Sequence, residues 1–292
     1  MLKEKADLQS VVYIITTSVL LVVLWTNGEN LTSPLWWLIY GVYLHLSVAV
    51  SVMVHNHKHV PMWKNKWLNV LTDNWLTVFY GFPVFAWVPT HMINHHVHVN
   101  TEKDYTRTWR YTEKNNLLTL ITYPTLSGKN QQPAVKSYYF SQWKKDRSKF
   151  WFLTLQLASL FTWLIAAFVI DWYSALIYVV IPQQVSLFSV LIFNYVQHIH
   201  TDEKSEYNNC RNFTGWGLNT FLLNNGYHTA HHMAPGLHWS KLKTKHEEVN
   251  EKIDQNLNEN SFWWFIGRTY VLGMVFSKLR TQNMRSTALS DT

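Results

Sequence analysis

Apolar residues gather into long blocks separated by polar segments. Four stretches, Val11 to Trp25, Leu35 to Val54, Phe150 to Ile170 and Tyr173 to Phe193, are apolar nearly throughout. About 20 helical residues cross a hydrocarbon core, so each stretch is predicted to be a transmembrane helix. A fifth stretch, Trp67 to Val88, is interrupted by Asp73, Asn74, Gly81 and Pro83 and reads as a re-entrant or interfacial piece. Lys3 and Lys5 before the first block resemble the start of a secretory signal. The block runs into Thr26-Asn27-Gly28-Glu29-Asn30 rather than a small-residue cleavage site, which favours an uncleaved span. Trp36, Trp37, Trp151 and Trp172 fall near span ends, where aromatic belts form.

The connections Thr26 to Pro34 and Asp171 to Trp172 contain no Lys or Arg. Basic residues occupy the N-terminus, the segment from Val54 to Lys149 and the tail after Gln197. The positive-inside rule therefore puts both termini and both long segments in the cytoplasm. The expected architecture is an all-α membrane protein with four transmembrane helices in two hairpins and a cytosolic helical cap. That cap is built from segments 55–149 and 196–292, and without an internal repeat or low-complexity linker the whole of 1–292 reads as one domain.

Two local expectations follow. Ser127-Gly128-Lys129-Asn130, between Pro124 and Pro133, is predicted to be a loop interrupting helical structure. Phe262 to Phe276, begun by Phe262-Trp263-Trp264-Phe265 and bearing Arg268 and Lys278 around a run too short to span, suggests a helix on the membrane surface. The net charge of +7 is explained by a basic face against anionic lipid headgroups and requires no nucleic acid. Cys210 is the only cysteine, which excludes an internal disulfide and any thiolate cluster.

The chain holds 15 histidines, and their spacing matters more than their number. His55 and His59 follow the second span at i, i+4, stacked on one helical face. His91-x-x-x-His95-His96 forms a second group, in which α-helical spacing lets His91 and His95 share one metal while His96 turns toward a neighbour. His228-x-x-His231-His232 forms a third, on a short helix between Asn224-Asn225-Gly226 and Pro235-Gly236, with Asn225 a candidate cap. Asn194-Tyr195-Val196-Gln197-His198 ends the fourth span and puts Asn194 and His198 on one face. All four groups fall on one side of a topology derived from Lys and Arg alone. Scattered structural histidines give no reason for that agreement.

Nine imidazoles exceed what one zinc ion takes, and imidazole suits zinc, copper, iron and nickel alike. Two metal ions sharing nine nitrogens is the economical reading. Soluble di-iron bundles use Glu ligands, whereas these boxes contain no carboxylate.

The succession of these boxes, in this order among the spans, resembles the fatty acid desaturase superfamily, which includes acyl desaturases, acyl and alkane hydroxylases and 1-alkene-forming decarboxylases. The stretch Asn224 to His232, with His238-Trp239 beyond, is similar to bacterial desaturase-like proteins. The resemblance implies two iron ions held by His55, His59, His91, His95, His96, His198, His228, His231 and His232. It also implies Asn194 close to one metal, O2 as co-substrate and a bacterial inner-membrane location with a cytoplasmic active site. The implied reaction removes hydrogen from unactivated C–H bonds of a fatty acyl chain. Desaturation comes first, with acyl or alkane hydroxylation and decarboxylation to a terminal alkene as alternatives. The short H-x-x-x-H first box departs from many acyl desaturases toward hydroxylase-like relatives.

His200 is the alternative to His198 as ligand, or an outer-shell group. His57 and His98 are expected to face away from the metals or to hydrogen-bond behind them, and His238 and His246 to lie at the surface or behind the ligands. His45, inside the second span, suggests an inward face. Gln183, Leu187 and Val190 share the face of Asn194 and His198 and are candidates to line an acyl tunnel. Pro182 is expected to kink that span, freeing backbone groups for Gln183 or Gln184. No G-x-G-x-x-G or haem-attachment motif occurs, so electrons are expected from an external ferredoxin, rubredoxin or cytochrome-type donor. A metal transporter is the non-enzyme alternative, disfavoured because only His45 lies near a bilayer midplane.

Overall fold

The computed structural model describes residues 1–28 and 33–285. Residues 29–32 of the first short connection, and the end of the tail from 286, lie outside the described residues. The described residues are mostly helical, with almost no strand. Its helices are α1 (Leu8–Thr26), α2 (Pro34–His59), α3 (Lys66–Tyr80), α4 (His96–His98), α5 (Leu117–Lys145), α6 (Arg147–Ile170), α7 (Trp172–Ala175), α8 (Ile181–His198), α9 (Trp216–Phe221), α10 (His228–Met233), α11 (Leu242–Val249) and α12 (Phe262–Ile266). Strands β1 (Asn212–Phe213) and β2 (Asn258–Glu259) pair in parallel over two residues.

Four helical stretches are long and apolar enough to cross a membrane: Lys5–Thr26, Pro34–His59, Arg147–Ile170 and Trp172–His198. They expose large apolar side chains in quantity, Leu8, Val12, Ile15, Val19 and Val22 on α1 and Phe161, Ile165, Phe168, Val169 and Ile170 on α6 among them. Such faces are favourable against lipid. The second and fourth helices run on past their apolar blocks, to His59 and His198, and carry box histidines out on rigid extensions.

Contacts divide the chain into two compact units, Met1–Trp87 with Lys136–Val190, and Val88–Val135 with the described residues from Leu191 onward. In the first unit the sequence's polar residues close helix ends. Asn65 caps α3 by accepting from Trp67 N and Leu68 N, and Asp146 caps α6 by accepting from Lys149 N. Helix α3 stops at Gly81, whose φ of 81° is left-handed and whose missing Cβ would lie 2.6 Å from Gln183 Cβ. Asp171 accepts from Tyr173 N at 3.0 Å, so one residue suffices to turn α6 into α7.

Between α7 and α8 the helix widens to a π-helical turn, Leu176–Val180, immediately before Pro182. Proline donates nothing to the carbonyl four residues back, Tyr178 O, and Tyr43 Oη donates to it instead at 2.9 Å, while Tyr40 Oη serves Ile177 O. This corrects the assignment of the freed groups to Gln183 or Gln184. Gln183 Nε2 bonds Val78 O at 2.7 Å, an orphan carbonyl near the C-terminus of α3.

Two further expectations fail. His45 is exposed on α2 rather than turned inward, because Tyr43, Leu46, Ser47 and Val50 take the buried face. The region from Pro124 to Pro133 is no loop, since α5 runs through both prolines. Gly128 adopts no left-handed angle, and Gln131 Nε2 bonds back to Ser127 O and Oγ, the i to i−4 pattern of a continuing helix.

Candidate metal centre

Seven of the nine box histidines lie in the second unit, on three elements. The first is a π-helical stretch, Val88–His95, that runs into α4. In π-helix the hydrogen bonds run i to i+5, which brings residues five apart nearer to one face than α-helical winding does. His91 and His96 therefore meet, Nε2 to Nε2 at 3.0 Å, while His95, its ring stacked 5.1 Å from that of His91, joins a different group of ring nitrogens. The α-helical pairing of His91 with His95 is overturned by this local winding.

Helix α10 splits its histidines the same way. His231 Nε2 lies 3.0 Å from His96 Nε2, making a trio with His91, while His228 and His232, four apart, are 3.2 Å apart through Nε2. His198 at the end of α8 reaches His228, Nε2 to Nε2 at 3.0 Å, and the His95 ring packs 4.7 Å from His198 and 4.9 Å from His232. His95, His198, His228 and His232 thus form a quartet whose ligand nitrogens all lie within 4.8 Å of one another. In the first unit, His55 and His59 meet edge to face, 4.9 Å between ring centroids, at the end of α2.

Polar side chains that the boxes do not include fix these rings. Asp104, wholly buried, accepts from His95 Nδ1 and Asn100 N through Oδ2, each at 2.7 Å. Its Oδ1 accepts from Thr106 N at 2.7 Å and Thr106 Oγ1 at 2.8 Å. A carboxylate only accepts, so His95 Nδ1 carries the proton and Nε2 holds a lone pair. That Nε2 is buried and has no hydrogen-bond partner among the described residues. His198 Nδ1 donates to Asn209 O at 3.0 Å, which likewise leaves its Nε2 lone pair facing the quartet. Asn100 ties the His95 loop to this helix end, its Nδ2 donating to His198 O at 3.0 Å. Asn212 Oδ1 accepts from Thr229 N at 2.9 Å and caps α10 from β1, the part expected of Asn225, whose carbonyl instead accepts from Gln197.

Electrostatics agree with the geometry. Burial alone would raise the Asp104 carboxyl. The attraction of the adjacent His95 ring and the hydrogen bonds from His95, Thr106 and Asn100 outweigh it and hold the group well below the usual carboxylate range. Burial, reinforced by the rings of His96, His228, His95 and His198, pushes His232 well below its ordinary value and keeps it neutral. A cluster of imidazoles whose ring nitrogens converge in this way could hold a metal ion. Metal–nitrogen bonds of about 2.0–2.1 Å at right angles set ligand nitrogens about 2.9 Å apart. The observed 3.0 and 3.2 Å separations fit that spacing.

The surplus histidines lie elsewhere in the hydrogen-bond network. His200, at φ 61°, bonds Thr281 Oγ1 through Nδ1 and Glu113 O through Nε2, both at 2.8 Å. His57 accepts from Met62 N and lies 3.6 Å from Asp73, and His98 ends α4 half-buried. His238 and His246 are buried rather than superficial. His238 Nδ1 bonds Ser240, and His246 packs on Tyr227 at the start of α10. Asn194 Nδ2 donates to Tyr123 Oη at 2.6 Å. The sequence signal for Asp104 is faint, one of two acids, with Glu102, in a polar run, nine residues past His95.

A family model described as fatty acid desaturase matches residues 31–275. Neither a curated protein nor a solved structure matches the chain.

Proposed function

Because the chain belongs to the fatty acid desaturase family, we propose that it is an O2-dependent, non-haem di-iron oxidoreductase that desaturates a fatty acyl chain. The quartet of His95, His198, His228 and His232 carries this reading. One iron falls to it, and the other to His91, His96 and His231 together with His55 and His59, in the family's order of boxes. Bound there, reduced iron would supply the activation of O2 and the abstraction of hydrogen from an unactivated C–H bond. In the overall balance two hydrogens leave the acyl chain, and two protons and two external electrons join them to reduce O2 to two waters.

The residues of the chain do the rest. Asp104 holds a proton on His95 Nδ1 and the Asn209 carbonyl holds one on His198 Nδ1, so both Nε2 atoms stay free to ligate. His95, His198, His228 and His231 are each at most 6% exposed, which keeps bulk water from a reactive centre. Apolar spans suit an acyl substrate. Leu187 and Val190, with the Cβ side of Gln183, are our candidates to line its tunnel. The site faces the cytoplasm in this reading, where a small ferredoxin, rubredoxin or cytochrome-type carrier meets a basic surface.

Expression in a bacterium beside a His231→Ala control, with mass spectrometry of lipids, tests the proposal. A new double bond that vanishes in the control supports it. A new hydroxyl or a volatile alkene would replace desaturation by another reaction of the family, and an unchanged profile with no iron in the purified protein would end it.

A further inference from the structure

The second unit holds another polar site, with no part in the chemistry above: a cavity of about 590 Å3, large enough for a small ligand. Arg211, Arg268, Lys278 and Arg280 line it, against two carboxylates, Asp254 and Glu259. Both carboxylates are engaged. Glu259 pairs with Arg268 at 2.5 Å, and Asp254 accepts from Asn256 N at 2.8 Å.

Arg211 is only 2% exposed. Its Nη1 donates to Val196 O and Ile199 O at the end of α8, at 2.9 and 3.0 Å, and its guanidinium lies over the Phe265 ring at 4.9 Å. No carboxylate of the described residues pairs with it, and its Nε has no hydrogen-bond partner among them. Carbonyl dipoles and a ring face offset a buried charge only in part. Arg280 lines the same cavity and donates from Nε to Gly273 O at 2.6 Å. The cavity therefore offers the buried Arg211 and the exposed Lys278 and Arg280 to an anion.

We propose that this cavity binds the phosphate of an anionic glycerophospholipid, with the segment 262–276 lying in the bilayer surface beside it. The wall residue Trp264 is 55% exposed, and Trp263, Val275 and Phe276 are 78%, 77% and 58% exposed. Such a run is unfavourable in water. Tryptophan and aliphatic side chains next to cations match the boundary where headgroups meet acyl chains. A soluble phosphorylated ligand would account for the cations but not for that rim. The inference stands independently of the metal centre.

Delipidated protein in detergent, titrated with dioctanoyl phosphatidylglycerol or phosphatidylcholine and followed by native mass spectrometry, tests it. Phosphatidylglycerol should bind saturably and roughly tenfold more tightly than phosphatidylcholine, and less tightly as salt rises. Lys278→Glu with Arg280→Gln should erase most of that preference while iron content stays at the wild-type value. Lys278→Glu alone, at an exposed side chain, should lower it severalfold and covers a fold defect in the double variant. Equal affinity for the two lipids, or a preference unmoved by both variants, overturns the proposal. Displacement of phosphatidylglycerol by inorganic pyrophosphate at lower concentrations than the lipid itself also overturns it, in favour of a soluble phosphate ligand.

Discussion

Asp104→Asn changes one atom and should strip one metal from the protein. Oδ2 accepts from His95 Nδ1 and Asn100 N, and Oδ1 from Thr106 N and Thr106 Oγ1. An amide has a single acceptor oxygen, so in either orientation its NH2 meets two donors. With NH2 toward Thr106 a buried backbone N–H is left unsatisfied. With NH2 toward His95 the ring is driven to move its proton to Nε2, where it blocks ligation. A hydrogen bond to a charged group contributes about 1.5–3 kcal/mol, and an unsatisfied buried donor costs about 1–3 kcal/mol. Outer-shell losses at metal sites typically weaken affinity about 10–100-fold, in line with those figures. The expected outcome is a fall from about two iron ions per chain to about one at limiting iron, with helical content by circular dichroism unchanged. Thr106→Val, which keeps the carboxylate, should have a smaller effect. Wild-type affinity for both metals in Asp104→Asn would refute the reasoning about His95.

Other expectations follow from the same geometry. His91→Ala and His96→Ala should deplete the same metal and be non-additive with each other, whereas His95→Ala should deplete the other; metal titrations of the single and double variants decide, and independent losses for His91 and His96 would contradict the π-helical register. His200→Ala should leave iron content intact and cost about 1–3 kcal/mol of stability through the bonds to Thr281 and Glu113; loss of iron with an unaltered melting profile would make His200 a ligand. In metal-free protein the folded-state values of His232 and Asp104 are both depressed. Stability is then fully present above the unfolded histidine value of about 6.5 and is lost as pH falls, first through the histidine and then through the carboxylate. A thermal midpoint that rises on acidification below about 6.5 would be the wrong sign. Gly81→Ala should destabilise the protein by at least about 1 kcal/mol, since the left-handed angle and the 2.6 Å approach to Gln183 both exclude a Cβ; chemical denaturation in detergent measures it.

What was legible in the sequence is what solvent dictates. Lipid demands nearly unbroken apolar runs, so four spans stand out, and a metal demands imidazoles at helical spacing, so four histidine groups do too. The apolar blocks stop at Val54 and Phe193, and the i, i+4 spacing of His55 with His59 and of Asn194 with His198 marks the helical extensions that run on to His59 and His198. Pro124, Gly128 and Pro133 suggested a loop on propensity, which the helical context overrode. The pairing of His91 with His96 depends on a change of hydrogen-bond register that no spacing rule for α-helix contains. Asp104, Asn209 and Asn212 act through a folded loop, a carbonyl and a strand end, and a single polar residue in a polar run gives no sign of such use.

Iron K-edge X-ray absorption, with metal analysis on reconstituted protein, addresses the central claim most directly. Two irons per chain, each with nitrogen and oxygen ligands near 2.1 Å and imidazole multiple scattering, is the outcome expected from histidine-only sites. A single bound metal, or zinc retained where iron will not bind, would contradict it.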